Sequence, residues 1–344
     1  MRAFFIAAAL VLIALLTVFA KDAAVLTAEG CRLFFTAVFP ALFPFFIAVN
    51  LLKRLVPRAG GQRGFLRFLG MVAVCCLSGA PSASLLLLDG IESRAERSRM
   101  SVLAAFINLS CPAFVCGSVA QMLGLRTATP IVPIIIGHYG SALLLSGVYY
   151  SVVIGRRCKK SIASAATPVL SPAAALPEAV SSSVNTMLKV GGTLVFFYML
   201  SGFFLRIPIP GAIHPVLRSL LAGLIEMTGG IRLIAQAELP AHIRLPLISF
   251  LLSFGGISIM MQAFSAAKTD RTAYLAAKLV QAFVSAALTA AFVPLFGGGS
   301  SEVFAPGGDV LPRVLTAGGT ALMTFLCSAA AALICIITAR RTRA

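Results

Sequence analysis

Apolar runs of about twenty residues recur from Ala3 to Ile337, parted by short clusters of Lys and Arg, and several are cut midway by helix breakers. A run of that length fits the hydrocarbon of a bilayer. A break inside one is costly, because a freed backbone group has no water to bond there, and it is tolerated where the backbone lines a cavity. The first broken runs fall within residues 70–122, with Ser78-Gly79-Ala80-Pro81-Ser82 in one and Asn108-Leu109-Ser110-Cys111-Pro112 in the next. Broken segments near the midplane point to a carrier's substrate site.

Composition agrees with a polytopic membrane protein: 59% hydrophobic and 11% charged residues, with a mean hydropathy of +0.98. The net charge of +17 does not signal a nucleic-acid partner, because the bases sit in the short clusters that set membrane orientation. The eight cysteines form no CxxC pair and share no ligand spacing with histidine. They read as small buried apolar residues, with no metal and no cofactor. No HExxH, GxSxG or Walker A motif is present, so the chain does not read as an enzyme.

In order, Ala3–Ala20 reads as an uncleaved first span, and a second from about 33 to 52 carries Pro40 and Pro44, each of which should kink it. The broken segment 70–90, a polar bend with Arg94, Arg97 and Arg99, and spans of about 100–122 and 130–152 complete the first half. Ala, Ser and Pro make 161–183 a linker. The second half repeats the plan: a span of about 184–205, a broken segment 216–236, a span of about 245–267 cut at Gly255-Gly256, and a span of about 273–296. A constant offset pairs Leu77 with Leu221, Gly79 with Gly223, Phe106 with Phe250 and Cys111-Pro112 with Gly255-Gly256. The units are 1–31 (first span and loop), 32–160 and 184–296 (the repeats), and 297–344 (extracytoplasmic loop, last span and basic tail).

If every segment crossed, basic clusters would fall on both faces. If 70–90 and 216–236 enter and return, most bases are cytoplasmic, Lys278 among them, and both termini lie inside. The expectation is an all-α polytopic protein: about eight transmembrane helices plus two re-entrant helical hairpins, in two inverted repeats.

Pro112 frees the carbonyl of Asn108, which converges with the Asn108 side chain and the Ser110 hydroxyl as a candidate site; a packing kink is the plainer reading. Ser258 and Gln262 follow the Gly255-Gly256 break on one helical face. The hairpin tips, Ser78, Gly79, Pro81 and Ser82 in one and Glu226 and Thr228 in the other, would aim helix N-termini at an anion, or simply turn corners. Asn185 and Lys189 share a face, and Lys189 either serves the site or snorkels to the interface. Glu226 is its candidate partner or a proton carrier. His138 can couple protons or sit neutral and hydrogen-bonded.

Several of these stretches occur together, in this order, in one family. Leu77-Ser-Gly-Ala-Pro81, Asn108-Leu-Ser-Cys-Pro-Ala-Phe114, His138-Tyr139, Val184-Asn-Thr with Gly191-Gly192, Gly223-Leu-Ile-Glu-Met-Thr-Gly229 and Phe254-Gly-Gly-Ile-Ser258 with Gln262 resemble the YlbJ (SpoVV) sporulation membrane proteins, which carry nucleoside-recognition, or Gate, domains. The resemblance spans about 32 to 338. The chain departs from it at Ala80 and Ser82-Ala83, where relatives more often carry an aromatic residue and a Gly. It implies a carrier in the cell membrane or outer forespore membrane that moves dipicolinate, a small planar dianion, out of the mother cell. A nucleoside-type carrier, or a membrane scaffold or sensor that transports nothing, is the alternative.

Overall fold

The computed structural model describes residues 2–55, 72–73, 75–76, 79, 88, 91, 93–125, 129–154, 171–208 and 214–296. The expected last span, the linker residues 161–170 and most of the first broken segment, including Ser78, Pro81 and Ser82, lie outside the described residues. Every regular element among the described residues is helical. Five stretches are long and apolar enough to cross a membrane: Ala20–Leu51, Thr129–Val153, Ala173–Arg206, Ala241–Ser265 and Arg271–Phe296.

The opening apolar run forms α1 (Arg2–Val18), whose 17 residues fall short of those five. The next helix starts well before the expected 33. Helix α2 (Ala20–Leu33) passes through a π turn (Phe34–Val38) into α3 (Phe39–Leu55), so the expected loop up to 31 is helical from residue 20. Its Ala-rich start is strong helix former, which charge at Lys21 and Asp22 does not offset. The π turn sits just before Pro40: Phe39 N–H reaches back to Phe34 O, and the widened turn accommodates Pro40, which has no N–H to donate, while Pro44 stands inside α3.

Two further boundaries differ from expectation. Arg94, Arg97 and Arg99, expected in a bend, lie in α4 (Arg94–Ile107). Helix α7 (Pro172–Arg206) takes in residues 172–183 of the expected linker. Pro172 stands in its first turn, where no N–H is needed and the fixed φ suits a helix. Ion pairs join α2–α3 to α7 at both ends, Asp22 with Arg206 and Arg54 with Glu178 (3.2 Å), and the apolar stretch lies between them.

After α4 the chain breaks, resumes in a π turn (Phe114–Val119) and ends in α5 (Ala120–Met122). Helix α6 (Val132–Tyr149) follows. The segment 216–236 is a helical hairpin: α8 (Pro215–Ile225), a corner at Glu226, and α9 (Met227–Gln236). Each arm is about 15 Å long, half the hydrocarbon thickness of about 30 Å. Gly223 and Gly230 let the arms touch, since a Cβ on Gly230 would run into the Gly223 backbone. Helices α10 (Ala241–Phe254) and α11 (Gly256–Ala266) meet at the Gly255-Gly256 break, and α12 (Arg271–Phe296) closes the described chain.

Helix α12 packs along α10, α6 and α4. It is amphipathic in the sense opposite to a soluble helix. Lys278, Gln281, Ser285 and Thr289 are buried, whereas Leu275, Leu279, Val280, Phe283 and Leu295 are exposed. That arrangement suits a lipid exterior and a polar interior.

Candidate functional site

The two interrupted helices end side by side, and the polar face of α12 runs between their ends. Helix α4 stops because Asn108 turns extended (φ −79, ψ 92) and Pro112 has no N–H to offer the Asn108 carbonyl. Helix α10 stops because Gly255 and Gly256 both take positive φ (+85 and +72), a region closed to most side chains. Both breaks expected from the sequence are present.

Lys278 joins them. Its Nζ donates to Asn108 O (2.7 Å), Ser253 O (3.1 Å) and Gln281 Oε1 (3.0 Å). The residue is 2% exposed, and an ammonium has three protons, so every donor is placed. Two of the three acceptors are main-chain carbonyls at helix C-terminal ends, where the helix dipole is negative. No carboxylate among the described residues pairs with Lys278. Gln281 Nε2 donates in turn to Phe106 O (3.1 Å), another carbonyl of the α4 end. Asn108 Nδ2 donates to the buried hydroxyl of Tyr274.

This corrects the charge reading, which placed Lys278 among cytoplasmic bases. The sequence does carry the signal, because Lys278, Gln281, Ser285 and Thr289 lie at i, i+3, i+7 and i+11, one face of a helix.

His138 bridges the same two breaks from α6. The Ser110 N–H donates to His138 Nε2 (3.2 Å), and Nδ1 meets Ser253 Oγ at 2.8 Å. An amide always donates, so Nε2 carries no proton and Nδ1 does. The ring is the neutral Nδ1–H tautomer. Tyr139 OH donates to Ser110 O (2.9 Å), so both main-chain groups of Ser110 have partners. Farther along, Ser249, Ser285 and Thr289 form a buried hydroxyl cluster, with Ser249 and Ser285 at 2.7 Å and Thr289 donating to Ser249 Oγ at 2.7 Å. Gly137 permits this crossing, since a Cβ there would strike Thr289 Oγ1 and the Ser285 carbonyl.

The second hairpin tip differs from expectation. Glu226 Oε1 accepts from Thr228 N–H (3.0 Å) and Oε2 from Gly229 N–H (2.6 Å), so the carboxylate takes the free donors of the α9 N-terminus itself. These donors, expected to face a solute, face a side chain. Lys189 and Asn185 are exposed on α7, and Glu226 and Lys189 form no ion pair. Ser258 is buried beyond the second break, and Gln262 is half-buried one turn on. A Cβ on Gly256 would lie 3.1 Å from Met227 N and 3.4 Å from Gly223 O, so the hairpin tip rests on this break. A Cβ on Gly79 would lie 2.7 Å from Cys111 Cβ, so Gly79, the described residue of the expected first hairpin tip, rests on the other.

Among the described residues no cluster of three His, Cys, Asp or Glu gathers to hold a metal ion. The chain is 27% identical over 288 residues to the sporulation integral membrane protein YlbJ of Bacillus subtilis (strain 168), covering 68% of this chain and 67% of that protein. No protein-family model matches, and no solved structure matches.

Proposed function

We infer that this chain, which belongs to the YlbJ family of sporulation integral membrane proteins, is a carrier for a small organic anion, with dipicolinate as its leading substrate. The observation that carries the reading is Lys278: a buried ammonium, between two broken helices, held among the described residues by neutral oxygens alone. A buried cation without a carboxylate partner is costly, and an anionic solute relieves that cost. Of the three acceptors only Gln281 Oε1 belongs to a side chain, so an entering carboxylate takes its place on Nζ.

The architecture proposed with this function is about eight spans and two re-entrant hairpins in two inverted Gate-like repeats, working by alternating access. It is supported by two contacts at near-equivalent sequence positions, Gly79 on Cys111 and Gly223 on Gly256, with Gly256 one residue beyond the counterpart of Cys111. Both termini face the cytoplasm in this scheme, and the protein serves the outer forespore membrane. Cysteines placed at Ser93 and Ala241 should then label from the inside and the outside respectively.

Dipicolinate uptake into proteoliposomes tests the function. Wild type should accumulate it, and Lys278→Met should lose tenfold or more. A nucleoside-type carrier is favoured by the buried amides and hydroxyl of Asn108, Gln281 and Ser249, and competition between dipicolinate and nucleosides separates the two. Absence of flux for either class would leave the scaffold or sensor role. A deletion strain whose spores hold normal dipicolinate would reject the first reading.

A further inference from the structure

We propose that the point occupied by Lys278 Nζ is a monovalent-cation site built from the C-terminal ends of α4 and α10, and that in this chain a tethered ammonium fills it in place of a free ion. The inference concerns the ion at the breaks and stands whether or not a solute moves.

Three features carry it. The first is the ligand set. Asn108 O and Ser253 O come from two different helices that both stop at this point, and Gln281 Oε1 completes the set. Oxygens without formal charge suit a single positive charge. The second is size. Oxygen distances of 2.7, 3.0 and 3.1 Å fit an ammonium or an alkali ion of similar radius. They exceed the roughly 2.0–2.6 Å that magnesium and calcium require. The third is that the site is held independently of Lys278. Gln281 is anchored by Phe106 O, Asn108 by Tyr274, and Ser253 by His138. Removing the lysine therefore leaves the carbonyls pointing at one vacancy, with two helix dipoles still converging on it.

Among the described residues no carboxylate bonds Lys278, and the three acceptors around it meet the charge that the lysine itself brings. A mobile cation bound by carbonyls alone must be recruited from solution, and its occupancy follows its concentration. A cation on a four-carbon stem is always present. It leaves the fold indifferent to alkali salt and keeps the charge at the junction fixed.

Thermal melting of the detergent-solubilised protein tests this, with stability rather than flux as the readout. The variants are Lys278→Ala, which opens the space, and Lys278→Met, which fills it without charge. Each is melted in ammonium, potassium and sodium chloride, with choline chloride at equal ionic strength as the reference. Wild type should show no ion-specific shift. K278A should melt lower in choline and recover by several degrees, saturably, in ammonium or potassium. K278M should melt lower and not recover. The proposal is overturned if K278A gains nothing over choline from any of the three ions, or if K278M recovers as K278A does. It is also overturned if K278A is aggregated in ammonium and choline alike while K278M stays monodisperse. Loss of dipicolinate flux in the variants would bear on the carrier reading and not on this one.

Discussion

Replacing Glu226 separates a helix cap from a proton carrier. The side chain is 2% exposed and holds two buried N–H groups, one on each oxygen. Glu226→Ala strands both. A buried unsatisfied donor costs about 1–3 kcal/mol, which places this variant about 2–6 kcal/mol below wild type. Glu226→Gln keeps one acceptor and turns an NH2 toward the other donor, so it should fall about halfway. Glu226→Asp retains both acceptors on a residue favoured as an N-cap and should cost under about 1 kcal/mol. At roughly 2 °C per kcal/mol for a chain of this size, thermal melting in detergent resolves the order Asp, Gln, Ala. Proteoliposome flux is then measured for each variant that stays folded. A capping role predicts that flux follows stability, with Glu226→Gln active. Wild-type melting of Glu226→Ala, or Asp and Ala variants that melt together, would refute the cap. A well-folded Glu226→Gln without flux would return the residue to proton transfer.

Other outcomes follow from single contacts. Gly137→Ala should cost about 1–3 kcal/mol by overpacking α6 on α12, whereas Gly147→Ala on the same helix meets nothing within 4 Å and should be neutral or gain up to about 1 kcal/mol; parallel melts decide it. Asn108→Ala, which strips the hydroxyl partner from Tyr274, should lower dipicolinate flux severalfold, and Lys189→Ala, on the exposed face of α7, should leave it unchanged. Asp270 caps α12 by accepting from Ala273 N–H, and that bond, with Ser98 adding to it, holds its carboxyl below the ordinary value. A depressed carboxylate stabilises the fold above its unfolded pKa of about 3.9 and loses this as pH falls through the folded value. The melting gap between wild type and Asp270→Asn should therefore be full at pH 6 and close on acidification below about 4.

Breakers were the legible part of this sequence. Pro112 and the Gly255-Gly256 pair act on the backbone locally, so their positions alone locate both interruptions, and the freed Asn108 carbonyl follows from Pro112 without any knowledge of the fold. What takes that carbonyl is not local. Lys278 stands near the start of an apolar helix, where an ion at a membrane edge and an ion in the interior look alike in a charge count. Only the polar stripe it begins tells them apart. Lys189 shows the converse: its neighbours Asn185 and Thr193 suggest a polar face, but α7 presents that face outward. Helix α7 also starts earlier than the composition of 161–183 suggested, because a Pro-Ala-Ala-Ala opening is as good a helix start as it is a linker.

His138 has a mechanical consequence. One imidazole clasps the main chain at one interruption and a hydroxyl at the other, so the two interruptions cannot part without unfastening the ring on one side. In the proposed carrier cycle the ring is a latch, whose release frees a nitrogen lone pair or an N–H as the junction opens.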